Sequence, residues 1–486
     1  MYHLDNRKGA EGEACRFNSY APERQKVRAK WYVDGKDAFQ DIALAISLAK
    51  EEIFIADWCL HPTLYLLRGD GKEVADSRLD ILLKKKASQG VRIYILLWNE
   101  TSLAGLNLNT KKTKNYLKSL YPKNIYVKTH PKQYPVEWSH HQKLVVIDQS
   151  IGFLGGLDMC YGRWDDYKHN ITDMNHSHSK YPGNDYQNPN YHAYYKYADK
   201  LDSFTDVIDR EYSTRQAWHD IHCSVTGLAA KDCSFNFVER WNFSINGSKD
   251  SKENKNEGFL CNAQLVRSLC KWSGSPRDEQ SVYAAYLHLI DNAKHYIYIE
   301  NQYFIGSTSD LPKNVIPEYI ARKVVEKMKA KEVFRVIIVV PSHPEGDMAA
   351  STTQQIMKYS YNTIKNGPNS MFSYIKKHVT GATDKDIENY IFFCTLRNYG
   401  FAVTEHIYVH SKMMIVDDYI TIIGSANIND RSMLGTRDSE IAVVIQDHPT
   451  SVIHTKMNGR HYKSGKFAHS LRIRCWREHL GLLPSQ

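Results

Sequence analysis

The chain has 486 residues, 42% hydrophobic and 24% charged, the proportions of a globular protein too long for one ordinary core, so two domains or two fused halves are expected. No apolar run reaches the eighteen or so residues of a membrane span, the start "MYHLDNRKGAEGEACRF" has no apolar signal core, and nine irregularly spaced cysteines read as reduced thiols; together these argue against a secreted or membrane-spanning class and for the cytoplasm. A net charge of +9, from 63 Lys+Arg against 54 Asp+Glu, suits a polyanionic partner, either nucleic acid or an anionic membrane face.

Residues 1–30 read as an N-terminal extension and 31–245 as a first lobe. "AISLAKEEIFIADW" (45–58) is an apolar-periodic helix ending in Ala-Lys and running into an alternating strand, and "LLKKKASQGVRIYILL" (82–97) is again helix then strand. "WSHHQKLVVIDQSIGFLGGLD" (138–158) reads as two short strands around a turn. The polar stretch 167–197 is a long excursion expected to pack over its own lobe. Its tyrosines (Tyr191, Tyr194, Tyr195, Tyr197) suit a lipid interface as the alternative, and its His176, His178 and His192 read as solvent-facing, with metal binding as the alternative. "NGSKDSKENKNEG" (246–258) is the inter-lobe linker, and 259–486 is a second lobe on the plan of the first.

There "LIDNAKHYIYIENQ" (289–302) answers to 45–58, "VVEKMKAKEVFRVIIVVP" (324–341) to 82–97, and "KMMIVD" to "KLVVID". The offset between copies grows from 244 residues to 269, which places about 25 extra residues within 341–390. Helix–strand alternation in both halves predicts a layered α/β architecture.

Both copies carry His-x-Lys-x-x-x-x-Asp: His141, Lys143 and Asp148, then His410, Lys412 and Asp417. On a strand, residues i and i+2 share a face, so each His and Lys can point into one cleft. Each Asp lies at an odd interval in a turn-like "DQS" or "DDY", where a carboxylate binds backbone N–H groups, and is expected to support the motif. Gly155-Gly156 or Gly424-Ser425 follows, then Asp158 or Asn427.

Two imidazoles and two ammonium groups in one cleft call for an anion, and phosphate is the common one. One histidine would attack phosphorus in line and the other protonate the departing alkoxide, while Lys143, Lys412, Ser425 and Asn427 bind the non-bridging oxygens. The symmetry does not assign the two histidine roles. Each imidazole needs its second nitrogen held. Asp173 and Glu440, at similar distances past the motif aspartates, are the expected carboxylates.

These residues resemble the phospholipase D superfamily. "EEIFIADW", "HHQKLVVIDQS", "GGLDMCYGRWDD", "WHDIH", "YIYIENQYFI", "VHSKMMIVDD" and "GSANINDRSMLGTRDSEIAVV" resemble its eukaryotic, phosphatidylcholine-hydrolysing branch over nearly the whole chain. The resemblance implies two pseudo-twofold lobes, each a mixed β-sheet flanked by helices, with the site in the seam. It implies hydrolysis of phosphatidylcholine to phosphatidic acid and choline without a catalytic metal or cofactor, and transphosphatidylation to primary alcohols. It implies His141 as nucleophile, His410 as general acid and base, and a peripheral place on membranes. Activation by phosphoinositides or small GTPases is known in the family, whose members carry N-terminal lipid-binding modules; about thirty residues precede the catalytic region here. Trp138 and Trp164 are aromatic neighbours that can face a choline cation or serve in packing. A nuclease of the same superfamily is the competing reading.

Overall fold

Short apolar strands buried on both faces need helices on both sides, and this sequence supplies them in alternation. The computed structural model describes residues 15–100, 108–131, 138–174, 179–190, 205–244, 258–309, 312–400 and 403–484. His176, His178, His192 and the four tyrosines of 191–197 lie outside these residues, as does all but the last residue of the expected linker.

The strands of the first half are β1 (Arg24–Val33), β2 (Glu52–Asp57), β3 (Arg92–Leu97), β4 (Ile125–Thr129), β5 (Leu144–Ile147), β6 (Ile151–Gly155), β7 (Ala217–His219) and β8 (Ile221–Thr226). Those of the second are β9 (Phe259–Leu269), β10 (Glu279–Gln280), β11 (Tyr296–Asn301), β12 (Arg335–Val339), β13 (Ile391–Cys394), β14 (Leu396–Tyr399), β15 (Thr404–Val409), β16 (Lys412–Val416), β17 (Ile420–Gly424) and β18 (Glu440–Asp447). One mixed sheet runs β13-β12-β11-β16-β17-β18-β9-β1-β8-β6-β5-β2-β3-β4, with β10 beside β9. From its centre, where β1 and β9 pair antiparallel, the two directions are the same: three antiparallel strands, then a parallel trio. That palindrome is the pseudo-twofold. The fold is therefore α/β, with two related lobes sharing a sheet.

Each parallel step is crossed by a helix. The helix Leu79–Ser88 connects β2 to β3 and Ile316–Ala330 connects β11 to β12. The connection from β12 to β13 holds three helices, Ser351–Tyr361, Met371–His378 and Asp384–Glu388, where the one from β3 to β4 holds Thr110–Leu120. The extra length of the second half lies there. Helix Gly35–Leu48 shows the packing rule: Ala38, Phe39, Ile42, Ala43 and Ile46 recur at three- and four-residue steps and are all buried.

One core lies under each half, and a third runs across both beneath the sheet, where helices Leu228–Ser244 and Lys466–His479 pack. β1 begins at Arg24, within the expected N-terminal extension, and the Ser19 hydroxyl donates to the Leu265 carbonyl of β9. A smaller sheet, β14-β15-β7, joins the halves a second time, with β7 parallel to β15. Described parts of the excursion cross toward the second half, where the Asn188 amide donates to Glu405 at 3.3 Å. No helix among the described residues is long and apolar enough to cross a membrane.

Candidate active site

The two motif strands, β5 and β16, hold the same rank in the two halves of the sheet; His141 and Lys143 stand just before β5, while His410 stands just before β16 and Lys412 opens it. Hairpin turns hold them in place. Asp148 and Asp417 adopt left-handed backbone angles (φ 48° and 54°). Asp148 accepts the backbone N–H groups of Lys50, Glu51 and Glu52, and Asp417 those of Lys294, His295 and Tyr296, all at 2.8–2.9 Å. Neither aspartate reaches the histidines. Each ties its motif hairpin to the segment leading into β2 or β11.

The seam between the halves brings the histidines to their carboxylates, and the pairing is crossed. His141 Nδ1 donates to Glu440, 3.0 Å from both carboxylate oxygens, and Glu440 opens β18 of the other half. His410 Nδ1 donates to Asp220 Oδ2 at 2.7 Å, and Asp220 stands just before β8 of the first half. Backbone bonds across the seam set this up: His141 N–H to the Ser439 carbonyl at 3.1 Å and His410 N–H to the His219 carbonyl at 2.8 Å. With Nδ1 protonated, each Nε2 keeps its lone pair for chemistry.

Asp173, expected as an orienting carboxylate, serves neither histidine. Its Oδ2 accepts from the Ser179 hydroxyl and the Lys180 N–H, closing a local loop. Asp220 takes the role. The signal that finds it is position on the fold: like Glu440, it introduces the apolar strand that pairs with the return strand of the motif hairpin.

Ser425, expected on phosphate, is fully buried and donates its hydroxyl to Glu440 at 2.6 Å, as Ser432 does from the other side. Its counterpart in the first half is Gly156, and the reason is steric: a Cβ there would stand 1.9 Å from Asp220 Oδ1. The longer glutamate leaves room for a serine; the shorter aspartate requires glycine.

The lysines are held differently. Lys143 Nζ lies 3.0 Å from Asp158 Oδ1, and both are buried. Lys412 Nζ donates to the neutral Gln302 amide oxygen at 2.9 Å and to the His410 carbonyl. Burial pulls the Lys412 ammonium down to about 7, against the pull of Asp220 and with the push of Lys143. Burial also holds the His410 imidazolium well below its usual range, helped by Lys412, Arg163, Lys143 and His141. Asp220 is pushed up to about 6 by burial, which Lys412 opposes.

Asn427, the counterpart of Asp158, is buried with a side-chain oxygen that has no hydrogen-bond partner among the described residues. In the first half burial and Asp158 raise Asp57 well above the usual carboxylate range, while Asp158, which burial alone would raise, is held at about 2 by Lys143, Asp57 and Arg163. In the second half the matching residues are the amides Asn301 and Asn427. The halves are therefore unequal electrically, with the fixed negative charge beside Lys143. Both indoles considered for choline are occupied. Trp138 lies between the Arg431 and Arg437 guanidiniums (5.5 and 5.1 Å), and Trp164 is buried under Arg68 at 4.9 Å.

Comparison with known proteins supports the site's kinship. The family model described as phospholipase D matches residues 45–405 and 402–486. Phospholipase D A of Dictyostelium discoideum is 42% identical over 472 residues, covering 95% of this chain and 36% of that protein. Phospholipase D2 of Bos taurus is 39% identical over 520 residues, covering 96% and 54%. The chain thus spans about a third to a half of the lengths of these relatives. Among solved structures, phosphatidylserine synthase of Haemophilus influenzae Rd KW20 superimposes with a TM-score of 0.50 at 13% identity, over 89% of this chain and 85% of that one, a likeness of fold. A family match over nearly the whole chain falls on the residues that build the seam: the chain belongs to the phospholipase D family.

Proposed function

We propose that the chain hydrolyses phosphatidylcholine to phosphatidic acid and choline through a phosphohistidine on His141. The observation that carries this reading is the crossed pair of couples, Glu440–His141 and Asp220–His410, at one cationic seam. Such an arrangement suits a two-step displacement. His141 Nε2 attacks phosphorus, the bond to the choline oxygen breaks, and His410 Nε2–H protonates that oxygen. His410 then takes a proton from water, the resulting hydroxide displaces His141, and phosphatidic acid leaves. A primary alcohol in place of water gives the transphosphatidylated lipid. In the free protein His410 resists protonation; the phosphodiester anion would offset the surrounding cations and raise its proton affinity, so substrate binding arms the acid. Lys143, Lys412 and the Asn427 amide are the groups placed to hold the non-bridging oxygens.

A lipid is favoured over a nucleic acid by what adjoins Lys412. Its partner Gln302 stands in the wall of a cavity of about 170 Å3 lined by Phe304, Ile356, Met357, Ile364 and Phe393. The helix Ser351–Tyr361 beside it exposes Tyr359 and Tyr361. That wall is mostly apolar, with Tyr303, Ser342, His343, Ser360 and Thr395 as its polar members, and suits an acyl chain. The net charge of +9 fits docking on an anionic bilayer face, and phosphoinositides are the activators that such a surface would read.

The test is to incubate the chain with phosphatidylcholine vesicles and 1-butanol, and with single-stranded DNA in parallel. Phosphatidylbutanol without DNA cleavage is expected; DNA cleavage without phosphatidylbutanol refutes the lipid reading. His410→Asn should stop turnover and let phosphate accumulate on His141, and phosphate found on His410 in the parent protein would reverse the two roles.

A further inference from the structure

Nine cysteines were expected to be reduced thiols; Cys15 and Cys394 are exposed and the other seven are buried. Two of the buried ones lie beside each other. Cys59 follows β2 and Cys160 lies in the loop after β6, and their Sγ atoms lie within 4.8 Å of each other and of a ring nitrogen of His61. Both thiols are buried.

The trio has the residue types of a zinc site, but the imidazole is set against that use. His61 Nδ1 accepts the backbone N–H of Tyr161 at 3.1 Å, with the two rings stacked at 4.6 Å. A neutral ring accepting at Nδ1 carries its proton on Nε2, so neither nitrogen keeps a free lone pair for a metal. The same proton suits a thiolate.

The two sulfurs differ sharply. Burial alone would raise the Cys160 thiol, but the Cys59 S–H, the Arg163 guanidinium and His61 hold it at about 5. Cys59, beside Cys160 and buried, is pushed well above the usual thiol range. The surroundings thus favour the thiolate on Cys160 and the proton on Cys59, the division between an attacking and a resolving cysteine.

We propose that Cys59 and Cys160 form an oxidisable pair whose disulfide disables the adjoining catalytic seam. In the first step the Cys160 thiolate attacks a hydroperoxide oxygen; the O–O bond breaks, and hydroxide (or alkoxide) leaves and takes up a proton. In the second, Cys59 sulfur attacks the sulfenic sulfur, and the S–O bond breaks with loss of water. Two thiols lose two electrons, and one hydroperoxide is reduced. A dithiol reverses the change.

The effect on the seam follows from what the two loops carry. Cys59 N–H donates to Asp158 Oδ1, the oxygen paired with Lys143. Trp58 sits edge-on to His141 at 6.3 Å and under the Lys143 ammonium at 5.7 Å. Closing to the ~2.05 Å of a disulfide draws the two loops together and pulls Trp58 and Asp158 off Lys143 and His141. Displacements of about 1 Å in such sites cost on the order of 10²-fold in rate. That consequence rests on the phosphodiesterase reading; the pair itself does not.

The experiment oxidises the full chain, freed of reductant, with about one equivalent of hydrogen peroxide, then blocks remaining thiols under denaturing conditions and maps peptides. A 59–160 cross-linked peptide is expected, reversed by dithiothreitol, with turnover falling at least about tenfold as the cross-link forms and returning on reduction. Cys59→Ser should instead leave Cys160 as a sulfenic acid that dimedone captures. Oxidation confined to the exposed Cys15 and Cys394, with Cys59 and Cys160 still alkylated as thiols, overturns the proposal, as does a stoichiometric zinc ion that shields both. A 59–160 disulfide with undiminished turnover overturns the coupling to the seam. A chain inactive in both redox states yet forming the disulfide counts against the lipid reading and leaves the pair standing.

Discussion

Replacing Asp220 by Asn tests the crossed couples directly. The His410–Asp220 contact is 2.7 Å and both groups are buried, so the carboxylate acts through little screening. His410 must enter the attack step as an imidazolium, the proton donor to the choline oxygen, and the surrounding cations already oppose that state. Removing the partner of a buried charge costs about 3–5 kcal/mol. If that cost falls on the step in which His410 is charged, turnover drops by about 10²- to 10⁴-fold. An amide at this place also donates or accepts without preference, so the Nδ1–H tautomer is no longer enforced. The assay is phosphatidylbutanol formation by purified Asp220→Asn, with thermal unfolding as the control for fold. Asp173→Asn, which removes a carboxylate bonded to Ser179 and Lys180 and to neither motif histidine, is the matched comparison and should stay within a few-fold of the parent. A folded Asp220→Asn protein within threefold of the parent, or an Asp173→Asn protein just as impaired, would refute the reasoning.

Gly156→Ala should impair turnover about as severely as Asp220→Asn, because its Cβ would stand 1.9 Å from Asp220 Oδ1; near-parental rates would show that Asp220 has freedom to move. The pH profile of kcat/KM should be a narrow bell. Asp220 must be ionised, which holds above about 6, and Lys412 must be charged, which holds below about 7, so the rate falls on both sides of that window as the coupled groups titrate. A flat profile from pH 6 to 9 would contradict it. Asp148→Ala strands three backbone N–H groups and should cost about 2–4 kcal/mol of stability, measured by denaturant unfolding, with an effect below 1 kcal/mol counting against the hairpin anchor. Ile356→Asp puts a charge in the wall of the apolar cavity, and should raise KM for long-chain phosphatidylcholine while sparing a short-chain soluble phosphodiester.

The halves of the molecule were legible because duplication writes the same pattern twice. His141 and Lys143, or His410 and Lys412, lie two apart at the head of an apolar run, and strand geometry alone sends both side chains to one side. Asp148 and Asp417 were legible as supports for a similar reason, being out of phase with the lysines in a turn. Asp220 was not legible from spacing. Between Asp417 and Glu440 the chain runs 23 residues, but between Asp148 and Asp220 it runs 72, because the first half inserts its polar excursion there. Matching distances pointed to Asp173; matching strands would have pointed to Asp220. The fate of Ser425 was invisible for another reason: which way a buried hydroxyl turns depends on Glu440, a residue in a different strand.

The crossing is the deeper thing that linear order hides. A duplicated unit would be expected to orient its own histidine, and here it does not. β7 pairs with β15 and Ser439 bridges to His140, so each motif histidine is seated against the chain of the other half. Its carboxylate therefore comes from that half as well. Neither half alone holds a complete histidine couple: the first would keep His141 without Glu440 and Asp220 without His410, the second the converse. A buried carboxylate without its imidazole is costly, and so is an imidazole whose tautomer nothing enforces. The arrangement thus ties the chemistry to the joining of the lobes. It also gives a physical reason for one continuous sheet across both, since a shift of about 1 Å at the β1–β9 centre would move each histidine relative to its partner.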